Sequence, residues 1–147
     1  MEGTDAMGAY EAQSATERHM QELLDQLPRM QGIQERLEAH HAAGQILEKY
    51  AYVDDLEGDI EELQAKDPAR DGVNPELLAR LLKEKRGSLV RERARLDHDL
   101  AQSRFASVSL AARARIPQAE ALALEEELNR YREDYAYSLA RCQAVAR

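Results

Sequence analysis

One carboxylate and one imidazole stand at a spacing that could bind a metal ion. Glu38 and His41 form a Glu-x-x-His pair, which in helical di-iron and di-manganese proteins places both ligands on one helix face. Those sites need a second such pair and two further carboxylates, and the residue three positions before His98 is Arg95, which opposes a cation. Because these further ligands are missing, a helical-bundle metalloprotein is only the third of our three hypotheses. Our prediction is that the chain has no metal site and no cofactor, and that His40 and His41 form a polar step in an apolar seam or face solvent.

The single thiol is the other candidate for chemistry. Cys142 lies on an alanine-rich apolar stripe with no histidine nearby in sequence, so we expect it to be a small buried hydrophobe. No glycine-rich phosphate loop, Cys-x-x-Cys pair or nucleophile elbow occurs in the chain. One cysteine also excludes an internal disulfide and fits a reducing compartment. We predict that the protein is not an enzyme.

Composition favours helices over strands. Hydrophobic residues make up 44% of the 147 residues, with one phenylalanine and no tryptophan, and leucine and alanine dominate the apolar positions. A core of leucine and alanine suits helices that approach closely, and the shortage of β-branched residues disfavours a sheet. A chain of this length can bury a core without disulfides or metal. We predict an all-α protein.

The charge balance limits the partners and the location. Acids outnumber bases by 28 to 20, for a net charge of -8, so the field of the molecule repels phosphate backbones and anionic membranes. The N-terminus has no basic region, and no apolar run reaches the roughly 18 residues that span a bilayer. We predict a cytoplasmic protein that binds no membrane and is unlikely to bind nucleic acid, with export by a signal-free route left open.

A turn near the middle of the chain organises the predicted helices. Between Lys66 and Pro75 two prolines, a glycine, two aspartates and an asparagine crowd together. Asn74 is a favoured N-cap, Pro75 suits the first helical position, and Glu76 lies at the positive end of the helix dipole. We predict a turn at 67–74 that folds the chain back on itself.

The helices on each side of this turn follow from apolar spacings of three and four residues. Residues 1–15 show no such stripe and are predicted to be a flexible lead-in, and 16–147 a single helical-bundle domain. Pro28 marks a helix boundary or a kink. The pattern loosens over 105–117, where Pro117 marks a link or a kink before a last helix from about Gln118 to Ala144.

The predicted architecture is an elongated antiparallel helical hairpin within a three- to four-helix coiled-coil-like bundle. The helix after Pro117 is expected to pack back along the hairpin, and the segment before Pro28 adds a fourth element. If Pro117 only kinks its helix, the alternative is a two-arm hairpin that dimerises to cover its apolar stripes. A homodimer is thus one possible assembly.

Opposite charges flank the turn at matching distances. Six acids occur without an intervening base, at Asp54, Asp55, Glu57, Asp59, Glu61 and Glu62. Seven bases follow the turn, at Arg80, Lys83, Lys85, Arg86, Arg91, Arg93 and Arg95. A turn centred near Asp71 places position 62 opposite 80 and position 54 opposite 88, so the two runs pair. The alternative is a nucleic-acid-associated accessory protein that uses Arg86–Arg95, because Arg91, Arg93 and Arg95 extend beyond the acids.

The last helix carries the predicted partner-binding stripe. Tyr131 and Tyr135 lie one turn apart beside Leu124 and Leu128, and tyrosine is enriched at interfaces because it buries a large area at low entropy cost. The alternative is that these tyrosines fill the core next to Tyr50 or Val53.

By elimination, we predict a non-catalytic protein-interaction module, such as an adaptor, scaffold or chaperone-like bundle, that presents a helical face to a protein partner. The residues assigned to partner binding are Leu124, Leu128, Tyr131, Tyr135, Arg91 and Arg95.

Overall fold

The part of the chain that the structure describes contains α-helices and no strands. A computed structural model describes the backbone of residues 2–146 and the side chains of residues 10–144. In chain order the helices are α1 (Glu2–Gln64), α2 (Pro68–Asp71), α3 (Pro75–Gln102), α4 (Val108–Ala114) and α5 (Gln118–Ala146). The helices pack against each other, which confirms the predicted all-α bundle.

The chain divides into two compact units. Residues 1–38 and 116–147 form the first, which we call the terminal unit, and residues 39–115 form the second, which we call the hairpin unit. The terminal unit contains the first part of α1 together with α5. The hairpin unit contains the rest of α1 with α2, α3 and α4. A single domain over 16–147 remains a prediction.

The core of the terminal unit lies between α1 and α5. Its buried residues are Leu23, Met30, Ile33 and Leu37 of α1 with Ala121, Leu128 and Tyr131 of α5. On α1 these positions are separated by seven, three and four residues, which places them on one face of the helix. The last helix was expected to return along the hairpin; in the structure it packs along the first part of α1.

The core of the hairpin unit is built on the second part of α1. Its buried residues are Ala43, Ile46, Val53, Leu56, Ile60, Leu89, Leu96, Phe105 and Ala111. Ala43 and Ala111 are completely buried. Two fully buried alanines, one on α1 and one on α4, allow these helices to pack closely, as the alanine-rich composition predicted.

The predicted turn is present and is capped as expected. Asn74 has an extended backbone and precedes α3, where its Oδ1 accepts a hydrogen bond from the Glu76 amide at 2.9 Å. Pro75 occupies the first helical position, where its missing N–H would have had no partner inside the helix. The start of α3 was therefore predicted correctly.

The turn also contains a short helix that was not predicted. Asp67 caps α2 by accepting a hydrogen bond from the Ala69 amide at 3.1 Å, and the Asp71 carboxylate accepts one from the Asp67 amide at 2.9 Å. Gly72 then ends α2 with φ at 68°, a left-handed conformation that glycine adopts at little cost. These reciprocal bonds give the turn a defined structure of its own.

The two internal prolines behave differently. Pro28 lies inside α1, which continues without a break from Glu2 to Gln64. Because Pro28 is exposed, its ring and the carbonyl that lacks an amide donor lie on the solvent side. Pro117 instead falls in the link between α4 and α5. The described part of the predicted lead-in is helical, and its flexibility remains a prediction.

Ion pairs join α1 to α3 with a register that differs from the predicted one. Lys85 pairs with Asp59 at 3.0 Å, so the acidic and basic runs do face each other. Arg93 pairs with Glu57, although it was expected to extend beyond the acids. Arginine and lysine side chains reach along the helix surface, which allows pairs that a simple count of positions does not match.

The arginine that follows α4 connects α4 to α1. Arg115, the C-cap of α4, donates through Nη1 to the backbone carbonyl of His40 at 3.2 Å, and the same Nη1 lies 3.3 Å from His40 Nε2. Arginine only donates, so this imidazole nitrogen acts as an acceptor. A Cβ on Gly44 would lie 2.7 Å from Arg115 Nη1. Glycine at position 44 thus makes room for the guanidinium.

We predict that Asn74→Ala lowers the free energy of unfolding by about 1 kcal/mol, because two amides at the start of α3 lose their cap. Chemical denaturation monitored by circular dichroism measures this change. Asn129→Ala is the matched control, since Asn129 is exposed in the middle of α5 and alanine is the better helix former. Equal destabilisation by both substitutions would contradict the capping role.

We predict that Gly44→Ala and Gly32→Ala differ in their effect on unfolding. A Cβ at Gly32 meets no atom within 4 Å, so alanine there should stabilise α1 by up to about 1 kcal/mol. At position 44 the new methyl group displaces Arg115 from the His40 carbonyl, which should cancel that gain or reverse it. The same denaturation curves test this, and an equal gain at both positions would show that the arginine contact contributes nothing.

Candidate functional site

An apolar groove runs between α1 and α5 in the terminal unit. Its walls are Leu27, Met30, Gln31 and Gln34 from α1 with Leu128, Tyr131, Arg132 and Tyr135 from α5. On each helix the four positions follow the i, i+3, i+4, i+7 pattern, which brings them to one side of the helix. The groove has a volume of about 230 Å³. Its floor is apolar, and amides and one guanidinium form its rim.

Tyr131 fixes the floor of this groove. Its hydroxyl donates to the backbone carbonyl of Leu23 at 2.6 Å, and its side chain is only 8% exposed. Burial, with a smaller contribution from Tyr135, raises the pKa of Tyr131, so it remains a neutral hydrogen-bond donor. Tyr131 therefore belongs to the core of the terminal unit. The alternative that the tyrosines fill the core holds for Tyr131, but not next to Tyr50 or Val53, since Val53 lies in the core of the hairpin unit and Tyr50 is exposed.

Tyr135 forms a more accessible part of the wall. Its ring centroid lies 6.1 Å from that of Tyr131, at an interplanar angle of 34°, and it is half-buried. Leu124 is also half-buried and packs against the same core, whereas Leu128 is buried. The structure thus brings together the four predicted residues of α5. Of the three that line the groove, Leu128 and Tyr131 are buried and Tyr135 is half-buried.

Leucine side chains extend the apolar surface beyond the groove. Leu24 is 40% exposed, Leu27 36% and Leu139 38%. Leu24 lies one turn before Leu27 on α1, and Leu139 one turn after Tyr135 on α5. Two helices can cover only the faces that they turn towards each other. The leucines at the edge of that interface remain in contact with water.

Two ion pairs hold α1 and α5 antiparallel beside the groove. Arg29 pairs with Glu127, and Arg36 pairs with Glu120 at 2.9 Å. The hydrogen bond from Arg29 lowers the pKa of Glu127 and, reciprocally, raises that of Arg29. Each pair is solvent-exposed and contributes little stability. Their main effect is to select the register of the two helices.

A polar network of a histidine, an aspartate and a serine also joins these helices. His19 Nε2 lies 2.9 Å from Asp134 Oδ1, and the Ser138 hydroxyl donates to the same oxygen at 3.2 Å. A catalytic triad requires the serine to donate to the histidine, whereas here both groups contact the carboxylate. The network has no activated nucleophile, and it links α1 to α5.

The predicted basic residues lie on α3, in the hairpin unit. Arg95 pairs with Glu92 one turn away at 2.9 Å, and Arg91 donates to the Ser88 hydroxyl at 3.2 Å. Arg93 is the partner of Glu57, as described above. Of the bases that were expected to extend beyond the acids, only Arg91 is without a carboxylate partner within the described residues.

The residues considered for metal binding and nucleophilic chemistry are not among those that line the groove. His40 is buried and contacts Arg115, whereas His41 is exposed. Among the described residues, histidine, cysteine, aspartate and glutamate nowhere form a group of three or more that could hold a metal ion. Cys142 is half-buried, with its sulfur 4.0 Å from the Thr16 carbonyl.

Sequence reasoning missed the α1 wall of the groove and Arg132. The spacing of Leu27, Met30, Gln31 and Gln34 was visible in the sequence. However, Pro28 was interpreted as a helix boundary or a kink, so these residues were not assigned to one continuous helix face. Arg132 lies between two tyrosines of the predicted stripe, so its place on the rim follows from the helical period once the groove is known.

Comparison of the chain with protein-family models found no match, and neither did comparisons with curated proteins and with solved structures. No helix among the described residues combines the length and the apolar character needed to cross a membrane.

We predict that the pKa of the His19 imidazole is higher in the folded protein than its ordinary value. The hydrogen bond to Asp134 is the main cause of the raised pKa, and Glu22 adds a smaller contribution. Because the folded pKa exceeds the unfolded value of 6.5, the interaction stabilises the fold fully below about pH 6.5 and this stabilisation is lost as the pH rises through the folded pKa.

An NMR titration of the imidazole Cε1–H signal measures this pKa directly. Asp134→Asn should lower it towards 6.5, and Glu22→Gln is the matched control with a smaller effect. An unchanged titration in Asp134→Asn would refute the assignment.

Proposed function

We propose that the chain is a non-catalytic protein-interaction module that binds an amphipathic helix of a protein partner in the groove between α1 and α5. The observation that carries this proposal is the groove itself, which has an apolar floor and walls from two helices at i, i+3, i+4, i+7 spacing. A helix laid in such a groove inserts side chains at the same periodicity. Adaptors, scaffolds and chaperone-like bundles use surfaces of this kind.

The size of the groove favours side chains over a free small molecule. Its volume of about 230 Å³ is below the roughly 300–1,000 Å³ that is common for small-molecule pockets. One or two apolar side chains of a partner helix would fill it. The exposed leucines beside it, Leu24 and Leu139, would then be covered by the next turns of that helix.

The chemistry of the groove supports binding rather than catalysis. Its described lining contains one permanently charged group, Arg132, and no nucleophile next to a base. Tyr131 is committed to the Leu23 carbonyl. The proposed setting is the cytoplasm, for which the single cysteine is the supporting observation.

The test uses two variants with matched substitutions. Leu27→Glu/Tyr135→Ala changes both accessible walls of the groove, and Leu122→Glu/Tyr137→Ala changes exposed residues that do not line it. Tyr131 is left intact because its removal would disturb the core. Circular dichroism checks that both variants fold.

Helical peptides are selected from a displayed library on the wild-type protein alone, and their affinities for the two variants are then measured. We expect the selected peptides to carry apolar residues at i, i+3, i+4 and i+7. They should lose at least about tenfold in affinity for the groove variant, or about 1.4 kcal/mol, and bind the control variant like the wild type. Peptides that bind both variants equally would disprove the assignment of the groove.

A further inference from the structure

The bases of α3 fall into two groups. Lys85, Arg93 and Arg95 each have a carboxylate partner. The others are exposed and pair with no carboxylate in the described part of the chain. They are Arg80, Lys83, Arg86 and Arg91, which we call the basic strip. The buried positions of α3 are Leu78, Leu89 and Leu96. By the helical period Arg80, Lys83 and Arg91 lie on the side turned away from this core, and Arg86 lies on its flank.

The second part of α1 carries a strip of the opposite sign. Glu57 and Asp59 are the acids that pair with α3. The remaining acids of this run are exposed and have no ion-pair partner among the described side chains. They are Asp54, Asp55, Glu61 and Glu62, which we call the acidic strip. Asp54 and Asp55 follow buried Val53, and Glu61 and Glu62 follow buried Ile60, so the helical period turns all four outward from the hairpin unit.

The two strips match in the number of their charges and are opposite in sign. The four acids extend over about two helical turns and the four bases over about three, and Glu84 is the acid that lies within the basic strip. Each also has a glycine near its centre. A Cβ on Gly58 would meet nothing within 4 Å, and one on Gly87 would meet only the end of the Arg91 side chain, at 3.7 Å. Two helices crossing at these glycines could bring the charged rows into contact.

We propose that the acidic strip on α1 of one copy of this chain binds the basic strip on α3 of a second copy. This contact is independent of the groove and of the function proposed for it. The hairpin unit already contains the same chemistry, since the inner flanks of α1 and α3 meet through Lys85 with Asp59 and Arg93 with Glu57. Each copy offers one strip of each sign, so two copies can exchange strips about a two-fold axis to form a dimer, or successive copies can build a ring or a chain.

A second copy accounts for both strips, whereas a phosphate backbone accounts only for the basic one. The α3 sequence contains no phenylalanine, tyrosine or tryptophan, which are the side chains on which single-stranded bases stack. Exposed charge pairs are individually weak and are screened by salt. The association is therefore expected to need high protein concentration and to be lost in strong salt.

The test reverses charges in each strip and measures the mass of the resulting variants by sedimentation equilibrium. At about 0.1 M ionic strength the Debye length is about 10 Å, so the repulsion between the net charges is screened while contacting strips still attract. The weight-average mass of the wild type should rise with concentration there and return to the monomer value at about 1 M salt. Asp55→Lys/Glu62→Lys and Lys83→Glu/Arg91→Glu should each remain monomeric.

An equimolar mixture of these two variants should associate again, because the unchanged basic strip of the first variant can bind the unchanged acidic strip of the second. Matched controls carry the same net charge through exposed residues elsewhere: Glu126→Lys/Glu133→Lys for the first variant and Arg18→Glu/Arg70→Glu for the second. Both controls should associate like the wild type. Circular dichroism establishes that each variant is helical.

Two results would overturn the proposal. One is a wild type that keeps the monomer mass at all concentrations at about 0.1 M ionic strength. The other is a mixture of the two variants that stays monomeric. If the wild type stays monomeric but shifts a labelled DNA duplex or RNA strand, and Lys83→Glu/Arg91→Glu abolishes that shift, the basic strip binds nucleic acid and the self-association proposal is wrong.

Discussion

The apolar stripe of α1 must be covered along most of its length, and the rest of the structure depends on that requirement. α1 has 63 residues, whereas α3 has 28 and α5 has 29, so neither of these helices can cover the stripe alone. Most of the stability of a helix in a protein comes from packing its apolar face. The stripe is covered in two stretches, by α5 over Leu23 to Leu37 and by α3 and α4 over Ala43 to Ile60.

The number of helices in each unit decides how much apolar surface stays exposed to water. In the hairpin unit α4 adds a third helix, and its Ala111 is fully buried in the core. The described part of the terminal unit has only α1 and α5, and two helices bury one face each. The groove beside Tyr131 follows directly from that difference, as do the exposed leucines next to it.

Local features of the structure could be predicted from the sequence, and long-range pairing could not. The Asn74 cap was predictable because all of its determinants lie within four residues. The two prolines obey the same local rule, yet Pro28 is tolerated within a packed helix and Pro117 lies in a link, since tertiary packing decides the outcome. Likewise the α5 wall of the groove was visible as a stripe, but its α1 wall depended on which segment α5 would meet.

The register between α1 and α3 was the other feature that sequence reasoning placed incorrectly. The prediction centred the turn near Asp71, whereas the pair of Asp59 with Lys85 is centred on position 72 and the pair of Glu57 with Arg93 on position 75. Arginine side chains also span more than one turn, so Arg93 can reach an acid that simple counting assigned to an earlier base. Charge alone specifies that two runs face each other, and it specifies the pairing of individual residues only weakly.

The ion pairs of the two units differ in the length of chain that they close, and this bears on the order of folding. The pairs between α1 and α3 join residues 26 to 50 positions apart, whereas those between α1 and α5 join residues 84 to 115 positions apart. Closing a longer loop costs more entropy, and short-range contacts form sooner. During synthesis the hairpin unit has all of its helices before α5 leaves the ribosome. The groove therefore comes into existence last, because its second wall is missing until α5 has docked on α1.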